Sequence, residues 1–308
     1  MSEKEYLILR YSLVEESQQV LESKPIPAIK GHAILPAIAQ DRELKNNGVL
    51  YSVLGFHELK PSFGYDYPGG RLYIGKLAKL KKQQTGEKVP GDIVEFEHDN
   101  WIPITVVIDI DTQHIFVRKD WRFGTPEHIA RSLQVAFSEP IFSVYNHRVF
   151  IEGKSEASTF WNIVESKSKI YRLDFKLISP NILDTNQKAR DALESLKEVF
   201  GQDEIDISLK NENGDLKIPE EPISNYLDYI AEGEGSWSVV TEGDRGGKKA
   251  HSSNENIDTV NLPEIYRDVA DNNQLQLDHK EDDKRPENYE EASLGAEVYA
   301  TIKDMEKD

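Results

Sequence analysis

The chain contains no cysteine among its 308 residues. That absence excludes disulfides, thiolate zinc sites and a cysteine nucleophile together. Long apolar runs are also missing; the longest fall well short of the ~20 residues needed to span a bilayer. The opening Met1-Ser-Glu-Lys-Glu5 has no basic segment followed by an apolar stretch, so no signal peptide is expected. These absences together predict a cytoplasmic protein. Nor is there a Gly-x-Ser-x-Gly elbow or a Gly-rich phosphate loop ending in Lys-Ser or Lys-Thr. The eight histidines are scattered, with no pair at metal-site spacing, so neither a metal nor a cofactor is expected.

Charge is abundant but unevenly placed. The first 200 residues carry 27 acidic against 26 basic side chains, and the last 108 carry 28 against 11. Nearly all of the net −18 therefore lies in the C-terminal third. The split predicts a near-neutral folded body and an acidic appendage. The pI of about 4.9 describes the appendage more than the body.

Within the body, patterning alternates between strand and helix signals. Strands are read at Glu5–Glu15, Val49–Phe56, Leu72–Leu80, Ile93–Glu97 and Ile104–Ile110. A hairpin follows through Asp111-Thr-Gln113 into His114–Lys119. Thr125-Pro126-Glu127 has the chemistry of a helix start, and Ile129, Leu133 and Phe137 set one buried face. Val144–Glu152, Ile170–Ser179 and Ile205–Leu209 read as strands, Ser155–Glu165, Asn186–Phe200 and Pro219–Ala231 as helices. Three short strands close the series at Ser236–Val240, Lys248–Ser252 and Ile257–Val260. The expected fold class is α+β: two mixed units with largely antiparallel sheets, residues 1–140 and 141–262, followed by a mostly disordered acidic tail, 263–308. The stretch Asp278–Glu291 has no aliphatic residue and is expected to be disordered. After it, Leu294, Val298, Tyr299, Ile302 and Met305 fall on one stripe of a short amphipathic helix. The body is expected to fold without this tail, and the tail to compete with DNA for basic groups.

Catalytic residues are not evident. Asp174-Phe-Lys176 has the acid-x-Lys spacing of metal-dependent nucleases, yet that spacing recurs by chance in a chain so rich in acids and lysines. The basic run is more informative. Arg71, Lys76, Lys79, Lys81, Lys82 and Lys88 face one acid along the sequence, Glu87, with Phe63, Tyr65, Tyr67 and Tyr73 before or within the run. Lysines supply phosphate contacts and ring faces can stack on bases. Against this stands the reading of a charged exposed hairpin, since lysine-rich edges also prevent strand pairing. Lys248 and Lys249, with Arg245 and His251, form a second small basic group. The candidate nucleic-acid-binding residues are thus Arg71, Lys76, Lys79, Lys81, Lys82, Tyr73, Lys248 and Lys249.

Three stretches carry a resemblance. Leu72-Tyr-Ile-Gly-Lys-Leu77 precedes a Lys-rich turn; Val149-Phe-Ile151, Phe160-Trp161 and Ile170-Tyr-Arg-Leu-Asp-Phe-Lys-Leu177 follow in order; Glu204-Ile-Asp-Ile-Ser-Leu-Lys210 leads to Asn213-Gly-Asp-Leu-Lys217. In this layout the chain resembles the RexA-like phage-exclusion proteins and related phage-defence proteins. The resemblance implies a non-enzymatic α+β homodimer that binds double-stranded DNA weakly and without sequence preference, and that acts with a membrane-protein partner. A Mg-dependent nuclease effector and an interaction module working through the acidic tail are the alternatives.

Overall fold

The computed structural model describes residues 3–16, 23–62, 64–178, 204–243, 246–265 and 289–307. The expected helix Asn186–Phe200 and most of the expected disordered stretch Asp278–Glu291 lie outside the described residues. Helices and antiparallel sheets mix along the chain, as an α+β fold requires.

Two sheets organise the molecule. The first contains β1 (Glu3–Glu15), β2 (Arg42–Asn46), β3 (Val49–Glu58), β4 (Leu72–Val89), β5 (Asp92–Asp109), β6 (His114–Arg118), β7 (His147–Gly153) and, late in the chain, β12 (Thr259–Pro263). Its order is β12-β1-β6-β5-β4-β3-β2, with β7 also on β1. β12 pairs with Glu3–Leu7 and β7 with Leu9–Glu15, so the two share one edge of β1 end to end. Sheet membership therefore divides the chain differently from a cut at residue 140: β7 and β12 both belong with β1.

Alternation along β1 explains its density of large side chains. Leu7, Leu9, Tyr11 and Leu13 enter a core under α1 (Leu35–Ile38) and α2 (Pro126–Tyr145), while Tyr6 and Ile8 enter another on the opposite face. α2 begins where expected: the Thr125 side chain accepts from the His128 amide, and Pro126 occupies the first turn.

The second sheet, in order β11-β10-β8-β9, comprises β8 (Ile170–Ile178), β9 (Glu204–Lys210), β10 (Gly235–Glu242) and β11 (Lys248–Ser252). Leu173, Phe175 and Leu177 on β8 bury against α3 (Ala157–Glu165) and α4 (Glu220–Ala231). The period-two pattern of β8 was legible for this reason.

The end of the chain corrects one expectation. α5 (Tyr289–Met305) lies on the second face of the first sheet, with Leu294, Val298 and Ile302 fully buried among Tyr6, Leu72, Ile74, Val107 and Phe116. The amphipathic stripe fills the core, so a body ending near residue 262 is incomplete. Close approach depends on Gly295, where a Cβ would sit 2.5 Å from the Tyr67 hydroxyl oxygen. No helix among the described residues is long and apolar enough to cross a membrane.

Candidate nucleic-acid interface

β4 and β5 are not the short separate strands expected. They pair without interruption from Leu72↔Asp109 to Val89↔Asp92, turning at Pro90-Gly91 with Gly91 at φ +87°. β3 accompanies β4 only as far as Lys79, and β6 accompanies β5 only from Val106 onward. Beyond these points the pair projects as a two-stranded arm, and residues 81–89 extend roughly 30 Å at about 3.4 Å per residue. No residue from 81 to 101 is buried.

Strand alternation splits the basic run between two faces. Leu77, on the α2 side, fixes the direction of Tyr73, Lys79 and Lys81; Leu72 and Ile74, on the α5 side, fix that of Lys76 and Lys82. The run is a cluster in sequence only. The return strand also dilutes it: residues 81–100 hold five carboxylates against three lysines. Lys82 Nζ donates to Glu97 Oε1 at 2.5 Å.

Arg71 is committed elsewhere. Its Nε donates to Asp109 Oδ1 and Oδ2 at 2.9 and 2.8 Å, a terminal nitrogen donates to Oδ2 at 2.6 Å, and the guanidinium lies 5.1 Å from the centre of the Tyr299 ring. With Asp109 fully buried, this pair holds the β4–β5 base and the α5 surface. Tyr65 stacks edge-on against Tyr289, and Tyr67 is buried, its hydroxyl pushed up to about 12 by burial and the nearby Glu291 and Glu58 carboxylates. Both rings seat α5. Tyr73 packs partly against the α2-side core. Lys248 lies 4.4 Å from the centre of the Tyr171 ring and pairs in register with Glu242; exposed Lys249 lies beside it on β11, away from the arm. Arg245 lies outside the described residues.

What remains together is Lys79 and Lys81, at the arm's base on the α2 side. Lys79 Nζ donates to the Phe123 carbonyl at 3.0 Å and to His128 Nε2 at 3.1 Å. Burial, then the charge of Lys81, lowers the Lys79 pKa; burial, then Lys79, lowers that of His128. A neutral imidazole is the partner an ammonium donor needs. Lys81 is exposed, opposite Asn100, and has no ion pair among the described residues. The loop that delivers Phe123 turns at Asp120, and it presents Trp121, 86 % exposed, beside Arg122. Asp120 accepts from Arg122 and stands 3.6 Å from Arg118, so its charge is already met. Sequence reasoning missed Trp121 and Arg122. The available signal was Lys119-Asp-Trp-Arg122, a tryptophan between a strand end and a helix cap where nothing covers it.

The acid-x-Lys pair lines a different cleft, of about 570 Å³, between α2 and the polar face of the second sheet. Asp174 is held by Arg172 at 2.7 Å and by the Ser238 hydroxyl at 3.1 Å; Lys176 is 3.1 Å from Glu204. Among the described residues no three His, Asp or Glu side chains are placed to hold a metal ion.

Residues 64–282 match the family described as Domain of unknown function (DUF4747). The chain belongs to that family. The matched span opens just before β4 and takes in the arm, α2, the second sheet and β12, but stops short of α5. No curated protein matches the chain.

Proposed function

We propose that the protein is a non-enzymatic DNA-binding sensor or adaptor of a phage-exclusion or antiviral defence system. In this reading it works in the cytoplasm as a homodimer beside a membrane-protein partner, as the RexA-like resemblance implies. The observation that supports DNA as ligand is the base of the arm: Lys79 and Lys81 share one face, and the loop that Lys79 bonds at Phe123 carries the exposed Trp121 and Arg122. Lysines contact phosphates without reading sequence, and an exposed indole stacks on whatever base or sugar it meets. With so few unpaired cations, the affinity is weak and falls steeply with salt.

The test is fluorescence anisotropy of a labelled duplex across a salt series. Lys81→Ala is expected to lower the log–log salt slope by about 0.9, the value for one phosphate contact. Trp121→Ala is expected to weaken binding at every salt concentration with little change of slope. Lys82→Ala, on the opposite face and paired with Glu97, is the control and is expected to change neither. Equal effects of Lys81→Ala and Lys82→Ala would remove the arm's base as the interface.

A further inference from the structure

We propose that the outer edge of β5, from Ile93 to Trp101, is a docking site for an extended basic peptide strand of a protein partner. The site is separate from the Lys79–Lys81 surface and stands or falls without it.

Four observations carry this. The arm is ordered by backbone pairing to its tip yet buries no side chain between residues 81 and 101. Ordering chain without core burial is unfavourable, so the arm's use lies outside the body. Second, the β5 edge is open. β6 pairing ends at Val106, the Arg118 side chain extends along β5 no farther than the Pro103 carbonyl, and outward of it no strand lies beside β5 among the described residues. Third, the edge keeps large apolar side chains in water: Ile93 is 64 % exposed, Val94 50 %, Phe96 47 % and Trp101 39 %. Charge alone suffices to guard an edge, whereas this one also carries four large apolar side chains. Fourth, alternation puts Ile93, Glu95, Glu97, Asp99 and Trp101 on one face: three carboxylates between two apolar residues. Lys82 bonds Glu97 and lies opposite Asp99, whose charge it also feels, while Glu95 has no ion pair among the described residues.

That face specifies its occupant. A strand added to the β5 edge gains main-chain hydrogen bonds, and its alternate side chains fall opposite Glu95 and Asp99. Those side chains must be cationic, with apolar neighbours for Ile93 and Trp101. Duplex DNA is disfavoured here by the same carboxylates. A second copy of the chain is also a poor fit. A two-fold pairing of β5 edges sets carboxylates against carboxylates, and β4-to-β5 pairing is head-to-tail and so gives no two-fold dimer.

The probe is a fluorescein-labelled, end-capped peptide of alternating Lys and Val, titrated with the full-length protein at moderate salt. Saturable binding is expected, with an alternating Glu and Val peptide failing to bind. Glu95→Lys with Asp99→Lys is expected to reduce affinity at least tenfold, and Ile93→Ser severalfold. An unchanged melting temperature would show the fold intact, since these side chains are solvent-facing. The same basic peptide N-methylated on every second residue keeps its charge but loses donors, and is expected to bind at least tenfold more weakly. Equal binding by the N-methylated peptide would reduce the contact to unspecific charge and overturn strand addition. Undiminished affinity of the charge-reversed variant would overturn the site. Lys81→Ala is expected to leave peptide binding unaltered, so failure here and failure of the DNA reading are told apart.

Discussion

Asp258, just before β12, shows what a single side chain contributes. Burial, then the neighbouring Glu156 carboxylate, raises its pKa to about 6. Its carboxyl in the unfolded chain titrates near 4, so between these values the native state holds the extra proton. Stability from this group is therefore gained as pH falls from above 6 toward 4, and is lost in the other direction. Asp258→Asn is expected to raise the melting temperature at pH 7 and to flatten the profile across that window. Thermal unfolding at several pH values measures both; an Asn variant no more stable than the parent at pH 7 would contradict the assignment. Arg71 makes the complementary point. Its sequence neighbours suggest a phosphate ligand, but burial turns it into the counter-ion of Asp109. Arg71→Ala leaves a buried carboxylate unpaired and is expected to cost about 3–5 kcal/mol in chemical denaturation, while leaving the DNA salt slope unchanged.

Among elements, α5 and the arm mark the limits of reading a pattern. The stripe through Leu294, Val298 and Ile302 was plain in the sequence because helical periodicity is local. Its destination was not, since the receiving face is assembled from Tyr6, Leu72, Val107 and Phe116, which are far apart along the chain. Leu294→Ala is expected to destabilise by about 2–5 kcal/mol, the range for emptying a buried leucine site. A chain ending at residue 265 is expected to expose the whole groove and to bind a hydrophobic dye in its unheated state. A truncated chain melting with the full-length protein would show α5 to be dispensable. The arm was read only in pieces, as the strand Ile93–Glu97 and an exposed charged hairpin, for the opposite reason. Neither face of residues 81–100 is buried, so no alternating pattern shows how far the pairing runs, and only partner strand and turn make them a ribbon. The same alternation that hid the arm also separated the lysines. A run of cations on a strand is a run on two surfaces, and only the half containing Lys79 and Lys81 faces the loop that Lys79 bonds at Phe123.

At the scale of the whole molecule, β1 decides what can fold alone. It is an interior strand whose neighbours include β6, β7 and β12, and the last of these arrives more than 240 residues later. No local signal near residues 3–15 announces that distance, which is why the sequence suggested a self-contained unit over 1–140. Strand order in the second sheet has a shorter reach, since its partners all lie between Ile170 and Ser252 and share a core with α3 and α4. The two units also meet through polar groups. Arg10 on β1 donates to the Glu232 carbonyl at 2.7 Å, and its guanidinium is 3.7 Å from the buried Glu234. From these facts the fragments are expected to differ. Residues 1–140, expressed alone, lack both strands on one edge of β1 and should show no cooperative unfolding transition. Residues 154–256 keep every described strand of the second sheet and should unfold cooperatively, at a lower denaturant midpoint than the full chain because Glu234 loses Arg10. Circular dichroism through a urea titration distinguishes the two. A cooperative transition from 1–140 would mean that β1 needs neither β7 nor β12, and that the cut suggested by sequence pattern was the physical one.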